Sequence, residues 1–368
     1  MVRTGSRAAS IEKLEARAYQ IPTDFPEADG TIRWDSTTLV VVHAEAGGKR
    51  GLGYTYASRA SAQVVTEKLA EALKGRDALD VPAAFEAMLR SVRNLGRGGP
   101  TMMAISAVDF ALWDLKAKLL DLPLVKLVGQ ARARVPIYGS GGFTSYPIER
   151  LQAQLRGWVH QGIPRVKMKV GTDPEADPER VMAAREAIGP ATELYVDANG
   201  AYRGKQALEL AHRFADEDVT WLEEPVSSDD LPGLHLIRER APSGMQVAAG
   251  EYGDTPFYFL RMLQAGAVDV LQADGTRCGG LTGFLHAAAL AHAFNVPFSA
   301  HCAPALHTAA GACAERIQNL EYFHDHVRIE HLLFDGVPKV REGALEPDLS
   351  RPGLGLDFKE ADAEQFRI

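Results

Sequence analysis

From residue 134 onward, short runs of β-forming residues alternate with longer segments of helical periodicity. The predicted strands are 135–138, 166–170, 194–196, 220–222, 247–249, 268–271, 296–299 and 318–320. The helical segments between them include 176–188, 205–215, 255–265 and 281–294. This alternation predicts parallel strands joined by right-handed crossovers. Eight such units in about 190 residues fit a barrel closed on itself. An open doubly wound sheet is the alternative, but no glycine-rich nucleotide-binding loop follows the first strand.

The first 130 residues have a different pattern, in which strands are followed by helices. Strands are predicted at 11–20, 37–45 and 50–57, and helices at 61–74, 82–94 and 103–120. This order indicates an α+β domain over residues 1–130, ahead of a barrel over 131–325. The stretch 22–34 has the proline and glycine content of a long irregular connection, which often forms a functional lid. Residues 326–368 carry turn signals without the barrel rhythm, and we expect them to run back to the first domain.

Composition narrows the class of protein. The chain has 368 residues, of which 46% are hydrophobic and 24% charged, as in a globular protein rather than a disordered or disulfide-stapled one. A net charge of −8 argues against a nucleic-acid partner. The sequence has no signal-peptide pattern and no uninterrupted apolar run of about 18 residues, so we expect no membrane segment. Three cysteines suggest a reducing cytoplasm.

An ionisable side chain ends each of seven successive predicted strands, from the second to the eighth. These residues are Lys169 (with Lys167 on the same strand), Asp197, Glu223, Glu251, Asp274, His301 and Glu321. Neighbouring members are separated by about one strand–helix unit, so all would face one mouth of the barrel. Catalytic residues of parallel barrels come from these strand ends.

Three carboxylates, Asp197, Glu223 and Glu251, fall on neighbouring predicted strands. They would repel one another strongly unless a cation lay between them. A set of oxygen ligands without cysteine or histidine favours a hard ion, Mg²⁺, over zinc. Salt bridges of ordinary loop carboxylates are the alternative, which the regular spacing of the set disfavours.

Two candidate proton carriers face this set. Lys167 and Lys169 are two residues apart on a strand and point to the same side, where each ammonium would lower the pKa of the other. His301 and Asp274 end neighbouring strands, and a carboxylate beside an imidazole fixes its tautomer. Two bases about one carbon, with a metal at its carboxylate, suit chemistry α to a carboxylate, with Glu321 and the metal stabilising the enediolate oxygens. By contrast, the run His324-Asp325-His326 is expected to be a solvated turn.

As an ordered set these motifs resemble the enolase superfamily and, within it, the mandelate racemase subgroup. The matching residues are Lys167-Met168-Lys169, Asp197-Ala198-Asn199, Glu223-Glu224-Pro225, Gly250-Glu251, Asp274 with Gly279-Gly280, Ser299-Ala300-His301 and Glu321. The helix around Asp109-Phe110-Ala111-Leu112-Trp113 is similar to the one that precedes the barrel in that family. The resemblance implies an α/β fold, a modified (β/α)₇β TIM barrel under an α+β N-terminal capping domain.

The same resemblance implies roles for individual residues. Asp197, Glu223 and Glu251 would bind one Mg²⁺ per subunit. Lys169 would be one acid/base with Lys167 lowering its pKa, and the Asp274–His301 dyad would be the other. Glu321 would donate a hydrogen bond to the enediolate, Asn199 would support the metal-bound carboxylate, and Ser140 is a candidate substrate contact.

The substrate is left open by the resemblance. Recognition residues are expected on capping-domain loops at about 19–34 and 52–58, with Tyr19, Trp34 and Tyr54 as candidates. We expect a homo-oligomeric Mg²⁺-dependent dehydratase of a sugar acid, with a racemase or epimerase of an α-hydroxy acid as the alternative. A non-catalytic binding protein on the same fold is a third possibility, but it predicts missing or exchanged strand-end residues.

Overall fold

The computed structural model describes residues 9–368 and contains a small capping sheet and a closed barrel. The capping sheet is antiparallel, with β1 (Lys13–Ala28), β2 (Arg33–Ala46) and β3 (Lys49–Tyr56) in that order. The stretch 22–34 is therefore not the long irregular connection that its composition predicts. After a register shift between Pro22 and Glu27, β1 continues to Ala28 and a tight turn leads into β2.

Eight parallel strands form the barrel, in the order of the chain, and the last pairs with the first. They are β4 (Val135–Gly141), β5 (Arg165–Lys169), β6 (Glu193–Asp197), β7 (Val219–Glu223), β8 (Gln246–Ala249), β9 (Val270–Ala273), β10 (Phe298–Ala300) and β11 (Ile317–Phe323). The predicted modified TIM barrel with a capping domain is confirmed.

Helices cover both parts of the molecule. In the capping domain they are α1 (Ala60–Val64), a π-helical turn (Val65–Leu69), α2 (Ala70–Leu73), α3 (Val81–Ser91), α4 (Pro100–Leu119) and α5 (Leu124–Val128). Around the barrel they are α6 (Ile148–His160), α7 (Asp177–Ile188), α8 (Gly204–Ala215), α9 (Leu231–Arg240), α10 (Pro256–Gln264), α11 (Gly280–Ala293), α12 (Pro304–Cys313) and α13 (His324–Leu333). Within the described residues, none of these helices has the length and apolar character needed to span a bilayer.

Helix α4 joins the capping sheet to the barrel. Its residues are almost all buried, and β3 lies directly on it. At Gly53 a Cβ would lie only 2.1 Å from the carbonyl oxygen of Ala107, so only glycine permits this approach. On its other side α4 reaches α11, where Asp109 accepts hydrogen bonds from the backbone N–H and the hydroxyl of Thr282.

The chain after α13 returns to both domains. It contains β12 (Phe334–Asp335), β13 (Ala344–Leu345), β14 (Asp357–Phe358), α14 (Glu360–Ala363) and a 3₁₀ turn (Glu364–Phe366). Strand β13 pairs with β4 of the barrel, and the ring of Phe358 contacts Tyr19 of the capping sheet. The buried Asp114 on α4 accepts the N–H groups of Leu52 (2.7 Å) and Leu354 (2.6 Å), which ties the returning segment to β3.

Candidate active site

Three buried carboxylates meet at the C-terminal mouth of the barrel. Asp197 ends β6, Glu223 ends β7 in register with it, and Glu251 follows β8. One oxygen from each lies within 4.8 Å of the others, as the three ligands of one ion would. Burial raises the pKa of Glu223, and the neighbouring Asp197 raises it further. The arrangement is costly without a positive charge among the carboxylates.

The oxygen atoms of this cluster fit a hard divalent cation. Among the described residues, Oε2 of Glu251 and Oδ1 of Asn199 are buried without a hydrogen-bond partner. Asn199 adopts a left-handed backbone (φ 46°), and its N–H donates to Oδ1 of Asp197 at 2.9 Å. Carboxylate and amide oxygens without sulfur or nitrogen ligands are the donors that Mg²⁺ prefers.

The two lysines of β5 both reach these carboxylates. Lys167 Nζ lies 2.5 Å from Glu223 and 2.9 Å from Glu321, and it is fully buried over the ring of Tyr138. Lys169 Nζ lies 2.5 Å from Asp197. Burial and Lys167 both lower the pKa of Lys169, but the carboxylates Asp197, Glu251 and Glu321 together outweigh them and raise it. Lys167 acts in the expected direction, but the net lowering expected from the lysine pair is wrong here, because that expectation left out the carboxylates around Lys169.

His301 and Asp274 form a buried pair at the ends of β10 and β9. Nδ1 of His301 lies 2.9 Å from Oδ2 of Asp274, and the other carboxylate oxygen accepts the N–H and the hydroxyl of Thr276, both at 2.7 Å. Because Asp274 accepts from Nδ1, the neutral imidazole has its free lone pair on Nε2. Nε2 points inward, 3.4 Å from Glu251 and 3.5 Å from Glu321.

Glu321 on β11 completes the floor of the site. It accepts the hydroxyl of Ser140 at 2.6 Å and the backbone N–H of Cys302 at 3.2 Å. Burial raises its pKa, but Lys167, His301, Lys169 and the hydrogen bond from Ser140 together outweigh burial and lower it well below the usual range. Ser140 therefore lies beneath Glu321 and orients it.

A cavity of about 400 Å³ opens above these groups, between the barrel mouth and the capping sheet. Lys169, Asn199, Glu251 and His301 line it from the barrel, and Trp34 lines it from the capping domain. Tyr19 and Tyr54 are not among its lining residues. Tyr19 packs on Phe358, and the hydroxyl of Tyr54 donates to Glu330 at 2.6 Å, so both belong to the core. Tyr54 and Tyr56 lie on the same face of β3, with their rings in contact, and of the two it is Tyr56, the last residue of the strand, that lines the cavity.

Several residues of the site were missed by sequence reasoning. Trp221 donates from Nε1 to Glu223 at 2.8 Å. The sequence could have indicated this contact, because Trp221 lies two residues before Glu223 on one strand and therefore shares its face. The contact of Arg277 with a carboxylate, by contrast, is predictable from its place three residues after Asp274, and Arg277 lies 3.5 Å from both Glu251 and Asp274. His326 is buried in the cavity wall and stacked on Tyr56, so the expected solvated turn at 324–326 is wrong. That run begins α13, which packs against the capping sheet.

Comparison with known families agrees with this geometry over nearly the whole chain. Residues 18–129 match the N-terminal domain of the mandelate racemase / muconate lactonizing enzyme family. Residues 150–362 match the enolase C-terminal domain-like family.

Individual relatives are similar over their full lengths. A mandelate racemase/muconate lactonizing enzyme-like protein from Rubrobacter xylanophilus is 54% identical, with a TM-score of 0.96 over 98% of this chain and 100% of that one. A racemase from Streptomyces coelicolor, solved with bound magnesium, is 32% identical, with a TM-score of 0.92 over 97% and 100%.

Two relatives of assigned activity are also similar. One is the 3,6-anhydro-alpha-L-galactonate cycloisomerase of Streptomyces coelicolor, 33% identical over 95% of this chain and 98% of that protein. The other is the L-talarate/galactarate dehydratase of Salmonella typhimurium, 30% identical over 97% and 90%. The chain therefore belongs to the enolase superfamily and, within it, to the mandelate racemase subgroup.

Proposed function

We propose that this protein removes the proton α to a carboxylate with the help of Mg²⁺ and so dehydrates a sugar acid. One observation carries the proposal. Lys169 of β5 and His301 after β10 line the same cavity, and the strands between them bear Asp197, Glu223 and Glu251. Two proton carriers at one cavity with an oxygen-ligand cluster match a reaction at a carbon next to a carboxylate.

Asp197, Glu223 and Glu251 would hold the ion. When bound, Mg²⁺ would polarise the substrate carboxylate and acidify its α-proton. It would also offset the negative charge of Asp197, which raises the pKa of Lys169. Lys167, fixed between Glu223 and Glu321, keeps a positive charge close to the same carboxylate.

In the dehydration, one of the two carriers takes the α-proton from C2, and electrons of that C–H bond form the C2–C3 double bond. The C3 hydroxyl leaves as water after receiving a proton from the other carrier. The resulting enol takes up a proton at C3 and releases the proton of its C2 hydroxyl, whose electrons form the C2=O bond, to give a 2-keto-3-deoxy acid. Nε2 of His301 can accept or deliver a proton because Asp274 holds Nδ1.

Dehydration is supported by relatives named as dehydratases of galactarate, gluconate, arabinonate and rhamnonate. A second outcome begins with the same proton abstraction. Return of the proton to the other face would give racemisation or epimerisation, and internal ring opening would give cycloisomerisation. The cycloisomerase that is 33% identical to this chain supports cycloisomerisation as a second candidate.

The test is incubation of the Mg²⁺-loaded protein with a panel of sugar mono- and diacids in deuterated water. Keto-acid formation supports dehydration, and deuterium incorporation with inversion and no keto acid supports epimerisation. A protein that neither forms products nor exchanges any α-proton contradicts the proposal. The control is the double variant Lys169→Ala/His301→Asn, which should lose every one of these reactions.

We further propose one Mg²⁺ per subunit, a homo-oligomer and a cytoplasmic location. Within residues 9–368, one cluster of three carboxylates lies at the barrel mouth, which supports the first. A ratio of metal to chain from elemental analysis and a mass from light scattering test the first two.

A further inference from the structure

The cavity has two ends of different chemistry. Its barrel end contains the groups of the proposed reaction. Its far end, here called the lid end, is formed by Ile32, Trp34, Ser36, Thr37, Thr38, Tyr56, Ala57 and Ser58 of the capping sheet, with Phe323 and His326 from the barrel. A sugar acid whose carboxylate is bound at the barrel end must direct its remaining carbons toward the lid end.

The cations that line the cavity all lie at the barrel end and are already paired. Lys169 contacts Asp197 at 2.5 Å. Arg277 lies 3.5 Å from Glu251 and from Asp274. Neither the Arg277 guanidinium nor the Lys169 ammonium is therefore unpaired and available to a second carboxylate of the substrate.

Within residues 9–368, no lysine or arginine lines the lid end. Among the described capping-domain residues that line the cavity, one is charged, the carboxylate Asp29, whose Oδ1 accepts the N–H groups of Thr31 and Ile32. Behind the wall, the hydroxyl of Thr37 donates to Asp325, and Asp325 in turn is paired with Arg328 at 2.6 Å. The Arg328 guanidinium does not line the cavity, and its charge is paired with Asp325.

His326 does not supply a charge either. Its Nδ1 accepts the backbone N–H of Ala303 at 3.2 Å, which assigns the ring proton to Nε2. Burial lowers the pKa of His326 well below its usual range, so the ring is neutral near pH 7. The lid end thus offers hydroxyls, a neutral imidazole and aromatic faces, which suit the hydroxyl groups and C–H faces of a sugar.

Resting on the proposed function, we infer that the substrate is a sugar monoacid, and that the lid end rejects the second carboxylate of a sugar diacid. A carboxylate transferred from water to this wall would lose its hydration without gaining a cation. Hydroxyl groups lose less hydration free energy in the same transfer, and the lid end offers them neutral hydrogen-bond partners. The relatives themselves include enzymes named for monoacids and for diacids, so fold alone leaves this choice open.

Matched pairs of acids test the inference, because the two members differ only at the far carbon. We would measure kcat/KM of the Mg²⁺-loaded protein for gluconate against glucarate and for galactonate against galactarate, and dissociation constants by calorimetry for the same pairs. In the pair that the protein turns over more efficiently, we expect kcat/KM to be about 100-fold higher for the monoacid than for the diacid. Thr38, which lines the lid end, then allows a gain-of-charge test. Thr38→Lys should reduce the preference by about tenfold, and the neutral control Thr38→Gln, of similar length, should retain it.

The outcomes separate the inference from the proposed function. Turnover in which the diacid equals or exceeds its matched monoacid overturns the inference and leaves the proposed function intact. If no acid is turned over, the proposed function fails, and the dissociation constants still decide the charge preference. Tighter binding of the diacid, or no binding of either acid, overturns the inference in that case too.

Discussion

Asp274 holds Nδ1 of His301 with one carboxylate oxygen while its other oxygen accepts two hydrogen bonds from Thr276. The orientation of the carboxylate is therefore fixed independently of the histidine. This makes Asp274 a positioning residue whose replacement has a defined chemical consequence.

In Asp274→Asn, Thr276 would select the amide oxygen, and the NH₂ group would face His301. Nδ1 would then become an acceptor and Nε2 would keep the ring proton, so the imidazole could donate a proton but not accept one. We expect kcat to fall by about 10²- to 10⁴-fold for substrates whose α-proton faces His301. Deuterium exchange of substrates with the opposite configuration, which depends on Lys169, should persist. Equal losses for both configurations would contradict the assignment of two faces.

Replacement of a metal ligand should remove magnesium without unfolding the chain. In Glu223→Gln, Trp221 would continue to donate to the side-chain oxygen, so the NH₂ group would point at Lys167. The ion would lose one carboxylate ligand, and two hydrogen-bond donors, the NH₂ group and Lys167 Nζ, would face each other. We expect Mg²⁺ affinity from calorimetry to fall by about 100-fold or more, with an unchanged circular dichroism spectrum. The control is Asp177→Asn, which removes another buried carboxylate, bonded to Tyr202, outside the cluster. Similar affinities for both variants would argue against the ligand role of Glu223.

Lys167→Met should destabilise the protein, because it leaves Glu223 and Glu321 buried without their shared cation. Loss of one partner of a buried ion pair costs about 3–5 kcal/mol. We expect that loss in urea unfolding with a chelator present, and a smaller one in saturating Mg²⁺. The exposed Lys205→Met is the control. If magnesium made no difference to the loss, Lys167 and the ion would not share the same carboxylates.

Gly30→Ala should displace the hairpin that closes the cavity. A Cβ at Gly30 would lie 2.4 Å from the carbonyl oxygen of Ala198 and 2.7 Å from that of Val170, both at barrel strand ends. Such overpacking costs about 1–3 kcal/mol, and misplacement of the lid end should lower kcat/KM by about 10- to 100-fold. Gly157→Ala on α6, where a Cβ meets no atom within 4 Å, is the matched control. Wild-type kinetics in Gly30→Ala would show that the hairpin does not define the site.

Glu330 should make folding stability fall as the pH rises. It is buried, and burial raises its pKa to about 8, although Tyr54 and Ala305 donate hydrogen bonds to it. A folded pKa above the unfolded value of about 4.3 means that the folded chain binds more protons between the two. The stabilisation is full below the unfolded pKa and is lost as the pH rises through the folded pKa. Glu330→Gln should therefore reduce the fall of the free energy of unfolding with rising pH, between pH 5 and 8, by up to about 1.4 kcal/mol per pH unit. The exposed Glu209→Gln should leave the slope unchanged.

Much of the barrel and its strand-end residues could be predicted because both follow local periodicity. All eight strands were located, although the sixth lies at Val270–Ala273 rather than 268–271, since the apolar residues before it belong to the preceding turn. Long-range packing decided what was missed. Tyr54 and Tyr56 share one face of β3, so the alternation of the strand cannot distinguish the core ring from the cavity ring. The difference comes from long-range contacts with α13, where Glu330 accepts the Tyr54 hydroxyl and His326 stacks on Tyr56. Likewise, Asp325 and His326 are buried, and His324 is partly buried, because long-range contacts, among them those with Thr37 and Tyr56 of the capping sheet, cover this run.

The hydrogen bond from Leu354 to the buried Asp114 has a consequence for the order in which the protein is made. Asp114 emerges from the ribosome long before its second donor, and β4 likewise waits for its antiparallel neighbour β13. Until the last residues are synthesised, the helix beneath the capping sheet carries a buried carboxylate with an unused oxygen. The end of the chain therefore completes the pairing at the N-terminal end of β4 and the tie to α4, so that a protein cut short before Leu354 lacks the contact that links the returning segment to the helix beneath the capping sheet.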